Sequence, residues 1–578
     1  MTYAPLLHTR PVNPAPRPLP PHPTPDPQTL TRHLYSGPQP PHPPPWPAAT
    51  PSSIEPRKVS TVADKHFDVV VIGGGPGGYV GAIRAAQLGY KTAIIERDKL
   101  GGVCLNWGCI PSKALLSNAE LYEKLQDRAA WGLEITGDIK YDWTKTIGRS
   151  REVASKLNKG VEFLMKKNKI EFIKGHAKIT GARKGSSPCT IDIHDATVQD
   201  TITHSPVTVG AKRETITATN IVIATGSVAR DLPFAKFDGD KIWGAREAMF
   251  NKAQPKSLIV VGAGAIGMEF GYFYHTFGTK VTVIEMQPRI LPVEDDDVSV
   301  AMEKVYKKHG MEIRTSAGVQ NIEKTATGVK VTVAPIVNGQ PDKSKQEVLE
   351  AEKVLLAIGV GGRFDGLFDP SLGLETIKGH IKTDYDPAKP EPRALDYKTN
   401  LPGIFAIGDV IGPPWLAHVA GEEAILCVER IAWRDGKTEH GKKLHEPIAM
   451  DYTVIPGCTY CHPQVASVGF TERALKEKGL VKDKDYAVGT FPFSALGKAI
   501  ATRNTDGFVK IIRGLPRGEV LGAHIMGDQA TELIAELSLA RRLEATSEEL
   551  ICTVHAHPTM HESVHEAALA SEGRVINS

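Results

Sequence analysis

"HFDVVVIGGGPGGYVGAIRAAQLGYKTAIIE", residues 66–96, decides how the rest of the chain is read. An apolar run ends in Gly73-x-Gly75-x-x-Gly78, a helical pattern follows, and a second apolar run closes on Glu96. In such a unit one glycine makes the tight turn, the next lets the backbone approach a pyrophosphate, and the third lets helix and strand pack closely. The helix N-terminus offers free N–H groups and a partial positive charge to phosphates. The closing acid can accept hydrogen bonds from ribose hydroxyls. One glycine motif is a weak signal, but the same grammar returns in "SLIVVGAGAIGMEFGYFYHTFGTKVTVIE", residues 257–285. There Gly262, Gly264, Gly267 and Glu285 each stand 189 positions after their counterparts. Two framed copies predict two dinucleotide sites. Glu285 favours NAD over NADP, because a carboxylate repels a 2′-phosphate; Met286-Gln287-Pro288 adds no cation, and only Arg289 speaks for the other choice.

A length of 578 residues implies several domains, and 41% hydrophobic with 23% charged residues is an ordinary globular balance. The net charge of +3 gives no reason to expect nucleic acid or an acidic membrane as partner. Residues 1–65 stand apart. Nineteen of the 42 prolines fall between Pro5 and Pro56, so a disordered or partly polyproline II extension is expected. It has no apolar core of a secretory signal, and its prolines argue against an organellar transit helix. No uncharged apolar run reaches the ~18 residues of a membrane span. Seven scattered cysteines without a secretory signal point away from a structural disulfide framework and toward catalytic thiols.

Such thiols stand directly after the first unit, in "GGVCLNWGCIPSKALL", residues 101–116. Cys104 and Cys109 are five apart, a rise of about 7.5 Å in a regular helix, beyond the roughly 4.4–6.8 Å Cα separation a disulfide tolerates. A bridge therefore needs a distorted opening turn, which Gly108 permits. It closes a tiny loop, better suited to exchange than to stapling the fold. A nearby helix N-terminus lowers thiol pKa.

The segment resembles the redox-active disulfide of the flavin disulfide reductases, the class I pyridine nucleotide-disulfide oxidoreductases. "IVIATGS" (221–227), "VLLAIGV" (354–360), "TNLPGIFAIGDV" (399–410) and "WLAH" (415–418) resemble further marks of that family in the same order. The resemblance covers residues 66–578. It implies an α/β fold: two Rossmann-like dinucleotide-binding domains, for FAD and NAD, plus a C-terminal α+β interface domain that dimerises. The implied boundaries are 66–232 for the FAD domain, 233–363 for the NAD domain, 364–446 for the return to the FAD and central region, and 447–578 for the interface. Residues 181–219 read as a surface hairpin.

By the same resemblance Cys104 is the interchange thiol that meets the substrate, and Cys109 the thiol that touches the flavin. Lys113 and Glu269 form an ion pair near the flavin, and Asp409 holds the ribityl chain. Gly175, Thr225, Gly226 and Ser227 join the flavin contacts with Leu416, Ala417 and His418, while Gly359 joins those of NAD. "VGGRFDG" (360–366) departs from the R-x-P-N that relatives carry there, at a loop expected to border the nicotinamide channel.

Near the end, "HAHPTMHESVHE" (555–566) contains HESVH, a match to the zinc-protease pattern H-E-x-x-H. Zinc needs a third ligand and an open position, and no histidine follows His565. No metal is expected. The resemblance instead makes His557 the acid–base group and Glu562 its orienter, with a cis His557–Pro558 bond. It implies a homodimer, since the histidine of one subunit serves the disulfide of the other. Cys458-x-x-Cys461 reads as packing or surface thiols. Glu285, "HAHPTMHE" and the lack of C-terminal cysteines resemble the dihydrolipoamide dehydrogenase branch, whose partners are dihydrolipoyl-carrying proteins: an E2 acyltransferase or the glycine-cleavage carrier. A glutathione- or mercuric-reductase-like enzyme is the alternative, and a docking role for the proline-rich tail is a reading of another class. The expected compartment is the cytoplasm, with a mitochondrial matrix as alternative.

Overall fold

The computed structural model describes residues 65–195 and 209–577. The proline-rich extension, apart from Lys65, lies outside the described residues, as do 196–208 within the expected hairpin.

Strand β1 (Lys65–Ile72) leads into helix α1 (Pro76–Gln87) and strand β2 (Thr92–Glu96). Val69, Val70 and Val71 are buried on both faces of the strand, as a strand covered on both sides requires. Pro76 opens α1 at a position where no N–H is needed. β1 pairs in parallel with β2 and with Lys212–Ile223, β2 pairs with Glu171–Lys174, and Ile404–Ala406 adds to the far end of Lys212–Ile223. Cys189–His194 and His176–Gly181 complete the seven strands on the antiparallel side. The expected hairpin is thus Cys189–His194 against Lys212–Ile223. It is not merely superficial, because Cys189, Ile191 and Ile193 belong to the core.

The second copy of the motif builds a separate five-stranded parallel sheet: Glu312–Arg314, Lys280–Ile284, Ser257–Val261, Lys353–Leu356 and Ile242–Trp243, in that order. The C-terminal region is a five-stranded antiparallel sheet, Gly457–Thr459, Gln464–Gly469, Val520–Gly527, Phe508–Gly514 and Tyr486–Pro492, with helices Ala530–Arg542 and Glu562–Ser571 behind it.

A buried charge cluster pins that antiparallel sheet to the second nucleotide unit. Lys510 is 1% exposed. Its Nζ donates to Asp295 Oδ1 at 2.7 Å, Asp297 Oδ2 at 2.5 Å and Glu472 Oε1 at 2.6 Å. Asp295 also accepts the Glu472 N–H at 2.9 Å, and Arg473 pairs with Asp296. The oxygens of Asp295, Asp297 and Glu472 lie within 4.8 Å of one another, close enough to hold a cation; the Lys510 ammonium is that cation.

Candidate active site

The two glycine turns follow one steric rule. At Gly73 φ is +107°, and an added Cβ would lie 2.3 Å from the Ala224 carbonyl oxygen; at Gly78 it would lie 1.8 Å from that of Gly73. Gly262 (φ +99°) and Gly267 repeat this at 2.4 Å from Ala357 and 1.9 Å from Gly262. Gly75 and Gly264 cap their helices, and a Cβ on Gly264 would meet nothing within 4 Å: the mouth of the second cradle is open.

The closing acids do something the sequence reading did not foresee. Glu96 accepts the N–H of Gly74 at 2.7 Å and of Asp98 at 2.8 Å. Glu285 accepts the N–H of Ala263 at 2.7 Å and of Gln287 at 2.8 Å, at equivalent positions. Each carboxylate ties its glycine loop to its strand end and still has lone pairs for a ribose. Arg289, the one cation that spoke for NADP, is drawn to Asp296 at 3.2 Å.

Around the first cradle, the Gly175 N–H donates to the Glu96 carbonyl at 3.0 Å. Thr225 carries a buried hydroxyl with no hydrogen-bond partner, Gly226 turns at φ +72°, and Ser227 donates to Asp409 Oδ2 at 2.6 Å. Burial pushes the Asp409 carboxyl up, against the pull of the Ser227 bond. Leu416 caps the helix Ala417–Arg434, and His418 Nε2 meets the Pro456 carbonyl at 3.1 Å. A glycine cradle, an unsatisfied buried hydroxyl and a placed carboxylate fit FAD. Gly359 (φ +104°) precedes the short strand Val360–Gly362, which pairs with Ser227–Ala229. The atypical loop is therefore anchored on the flavin-side strand, and Arg363 donates its N–H to Gly226 at 2.9 Å.

Gly101 and Gly102, at φ +91° and +57°, let the next segment fold onto the first cradle; a Cβ on Gly102 would lie 2.6 Å from Gly75 Cα. Helix α2 (Gly102–Trp107) carries Cys104, and helix α3 (Cys109–Gln126) opens with Cys109. The expected distortion at Gly108 is a complete break between two helices. Cys104 and Cys109 stand as unbridged thiols hydrogen-bonded to each other. That bond and burial push the Cys104 thiol up. The same bond and the Lys113 ammonium hold Cys109 below its ordinary value against burial, so of the two sulfurs Cys109 is the one favoured as thiolate. Lys113 Nζ donates to both Glu269 oxygens at 3.0 Å and lies 4.2 Å from the Tyr460 ring centroid, while the Tyr460 N–H donates to Glu269 at 3.0 Å.

His557 Nδ1 contacts Glu562 Oε1 at 2.8 Å, the Thr559 N–H fixes the other oxygen at 2.8 Å, and the His557–Pro558 bond is cis. His555 and His561 share Glu536, at 2.7 and 2.9 Å, a clamp on the same loop that sequence reasoning missed. No metal-ligand group forms from these histidines among the described residues. Burial pushes Cys458 up to about 11 and Cys461 up to about 12, as befits inert packing thiols.

Comparison with known proteins decides the assignment. Residues 67–424 match the family Pyridine nucleotide-disulphide oxidoreductase, and residues 455–568 its dimerisation domain. The chain belongs to the pyridine nucleotide-disulphide oxidoreductases. A relative from Rhizobium etli named dihydrolipoyl dehydrogenase is 44% identical, covering 89% of this chain and 100% of its own length. One from Pisum sativum, named as mitochondrial, is 38% identical over 91% and 95%. The solved structure of LpdA from Mycobacterium tuberculosis shares the fold at TM-score 0.72 and 24% identity, covering 87% of this chain and 99% of that one. FAD and NAD are the cofactors of this oxidoreductase. No helix among the described residues is long and apolar enough to cross a membrane.

A second residue of the oxidoreductase escaped the sequence reading. Glu423, 2% exposed, accepts the Gly408 N–H at 2.6 Å, next to Asp409, and the Tyr452 hydroxyl at 2.7 Å. Burial pushes it up to about 7. Between the ordinary carboxylate value of 4.5 and about 7 the folded chain holds a proton that the unfolded chain has lost, so stability falls as pH rises through this window. Glu423→Gln is expected to flatten that slope and to gain up to about 3 kcal/mol relative to the parent at pH 8. Denaturant unfolding at pH 5 and pH 8 measures it; equal slopes would refute the ionisation.

Proposed function

We propose that this enzyme oxidises protein-bound dihydrolipoamide to lipoamide and reduces NAD+ to NADH. The supporting observation is the whole-length match to relatives named dihydrolipoyl dehydrogenase. In this reading the substrate dithiol loses two electrons and two protons, NAD+ takes a hydride, and one proton is released. FAD, when bound, supplies the two-electron relay between sulfur and nicotinamide.

The chain's own groups do the rest. Glu562 accepts from His557 Nδ1–H, which leaves the Nε2 lone pair to take a thiol proton. In the oxidised enzyme, where Cys104 and Cys109 are joined as a disulfide, the substrate thiolate then attacks Cys104; the S–S bond breaks and Cys109 leaves as the thiolate that Lys113 stabilises. The second substrate thiol displaces Cys104 and closes the lipoyl disulfide. The His557 side chain is 79% exposed. That supports a homodimer in which it completes the site of the other subunit. The partners are an E2 acyltransferase or the glycine-cleavage carrier, both presenting the lipoyl arm, and the compartment is the cytoplasm.

Steady-state assays with NAD+ or NADP+ and with dihydrolipoamide or glutathione test this reading. Dihydrolipoamide with NAD+ is expected to exceed every other combination by at least about 100-fold in kcat/KM. Faster turnover with glutathione would make it the alternative reductase.

A further inference from the structure

Trp107, the last residue of α2, gathers cations that the chemistry above does not use. The Arg246 guanidinium carbon lies 3.9 Å from its ring centroid, Arg151 5.3 Å and Lys99 Nζ 5.2 Å. Arg246 comes from the helix Ala245–Phe250 and is 9% exposed. Its Nε and Nη2 are buried without a hydrogen-bond partner, and so is Nη2 of Arg151, whose Nη1 donates to the Asn106 carbonyl at 2.7 Å. The neighbouring acids are engaged elsewhere: Asp98 accepts the Trp107 indole N–H at 3.4 Å, and Glu247 the Gly244 N–H at 2.9 Å. Arg363 lies within electrostatic reach of Arg97 and Arg246 as well as of Glu96 and Asp365, and Arg246 within reach of Asp98 and Glu247, so acids and cations are mixed here.

The stacking on Trp107 does not explain this arrangement. A ring face engages the plane of a guanidinium, whereas the N–H donors point outward along its edge. Buried charged donors without acceptors are costly. A guanidinium edge matches two oxygens of a phosphate. The position is also telling. Lys99 follows Glu96 by three residues, the Gly101 N–H donates to the Gly74 carbonyl at 2.7 Å, and α2 starts against Gly75. Lys99 and Trp107 therefore stand on the segment that leaves the first glycine loop.

We infer that Arg246, with Arg151 beside it, forms an oxyanion site of the phosphate class, filled by the diphosphate of bound FAD or by a free phosphate. The first source rests on the flavin reading; the second does not. The test uses the holoenzyme and its Arg246→Met and Arg246→Lys variants. One readout is the rate of FAD loss on dilution, followed by flavin fluorescence. The other is the thermal midpoint in inorganic phosphate against chloride at matched ionic strength.

If the diphosphate fills the site, the Met variant loses FAD about 10- to 100-fold faster, the Lys variant lies between, and the gap narrows at high salt. If free phosphate fills it, FAD loss is unchanged, but phosphate raises the midpoint of the parent and not of the Met variant. A Met variant that matches the parent in both readouts overturns the inference and leaves Arg246 as a stacking residue. Should that variant fail to fold, Arg151→Met carries the same two readouts. A parent protein that holds no flavin would sink the flavin reading and leave the phosphate arm to decide this one.

Discussion

The Cys104→Ser holoenzyme is expected to lose dihydrolipoamide turnover by a factor of about 10³ or more while keeping its flavin. A serine hydroxyl neither accepts a thiolate nor forms the mixed disulfide, so exchange stops at its first step. The two cysteines are not equivalent, and the variants separate them. In the parent dithiol the Cys104 thiol is pushed up and Cys109, beside Lys113, is held down. With Cys104 replaced, no bridge can form, Cys109 remains a thiolate, and the long-wavelength absorption of a thiolate against oxidised flavin is expected in the resting enzyme. Cys109→Ser is expected to be equally slow and to lack that absorption at every stage of reduction. The absorption surviving in Cys109→Ser, or missing from Cys104→Ser, would reverse the two assignments. The spectrum thus distinguishes roles that a loss of rate alone cannot.

The second large effect is on stability. Lys510→Met is expected to cost about 3–5 kcal/mol, because it leaves Asp295, Asp297 and Glu472 facing one another around an uncharged side chain. Volume is nearly conserved, so the loss measures charge rather than packing. Its pH dependence carries the sign. In the parent, the Asp295 carboxyl is held below its ordinary value by His524 and Lys510 against burial, so its contribution is present above about 3.8 and is lost as pH falls. Without the ammonium, the crowded carboxylates are pushed up, and stability falls as pH rises through the carboxylate range. Adding Asp295→Asn, Asp297→Asn and Glu472→Gln to Lys510→Met is expected to recover most of the loss. Denaturant unfolding at pH 3, pH 5 and pH 8 reads both trends. A Lys510→Met protein as stable as its parent would show that the cluster pins nothing.

What could be read from the sequence was local. The two glycine turns with their acids, the Cys104–Cys109 spacing and the His-Pro element are each complete within a few dozen residues, and backbone sterics or short-range chemistry dictates them. The residues that escaped notice act at long range. Lys510 meets Asp295 across 215 positions, and Glu536 reaches His555 and His561 from a neighbouring helix. Glu423 meets Gly408 within one segment, but its burial depends on Tyr452. No periodicity announces a carboxylate that ends up buried, since the same residue on a helix face ordinarily points to water. The pairing of Arg289 with Asp296 was of the same kind, visible only once the chain is folded.

Glu269 stands at one end of an electrical lever. It belongs to the helix that rises from the second cradle, yet its carboxylate grips Lys113 on the redox helix and an amide at the edge of the antiparallel sheet. Lys113 draws Cys109 toward the thiolate and Glu269 opposes it. A tilt of the nucleotide helix that lengthened this grip would leave the ammonium to act on sulfur alone; a closer approach would do the reverse. The charge felt by the Cys109 sulfur would thus shift with the position of that helix, with no movement of the cysteines themselves.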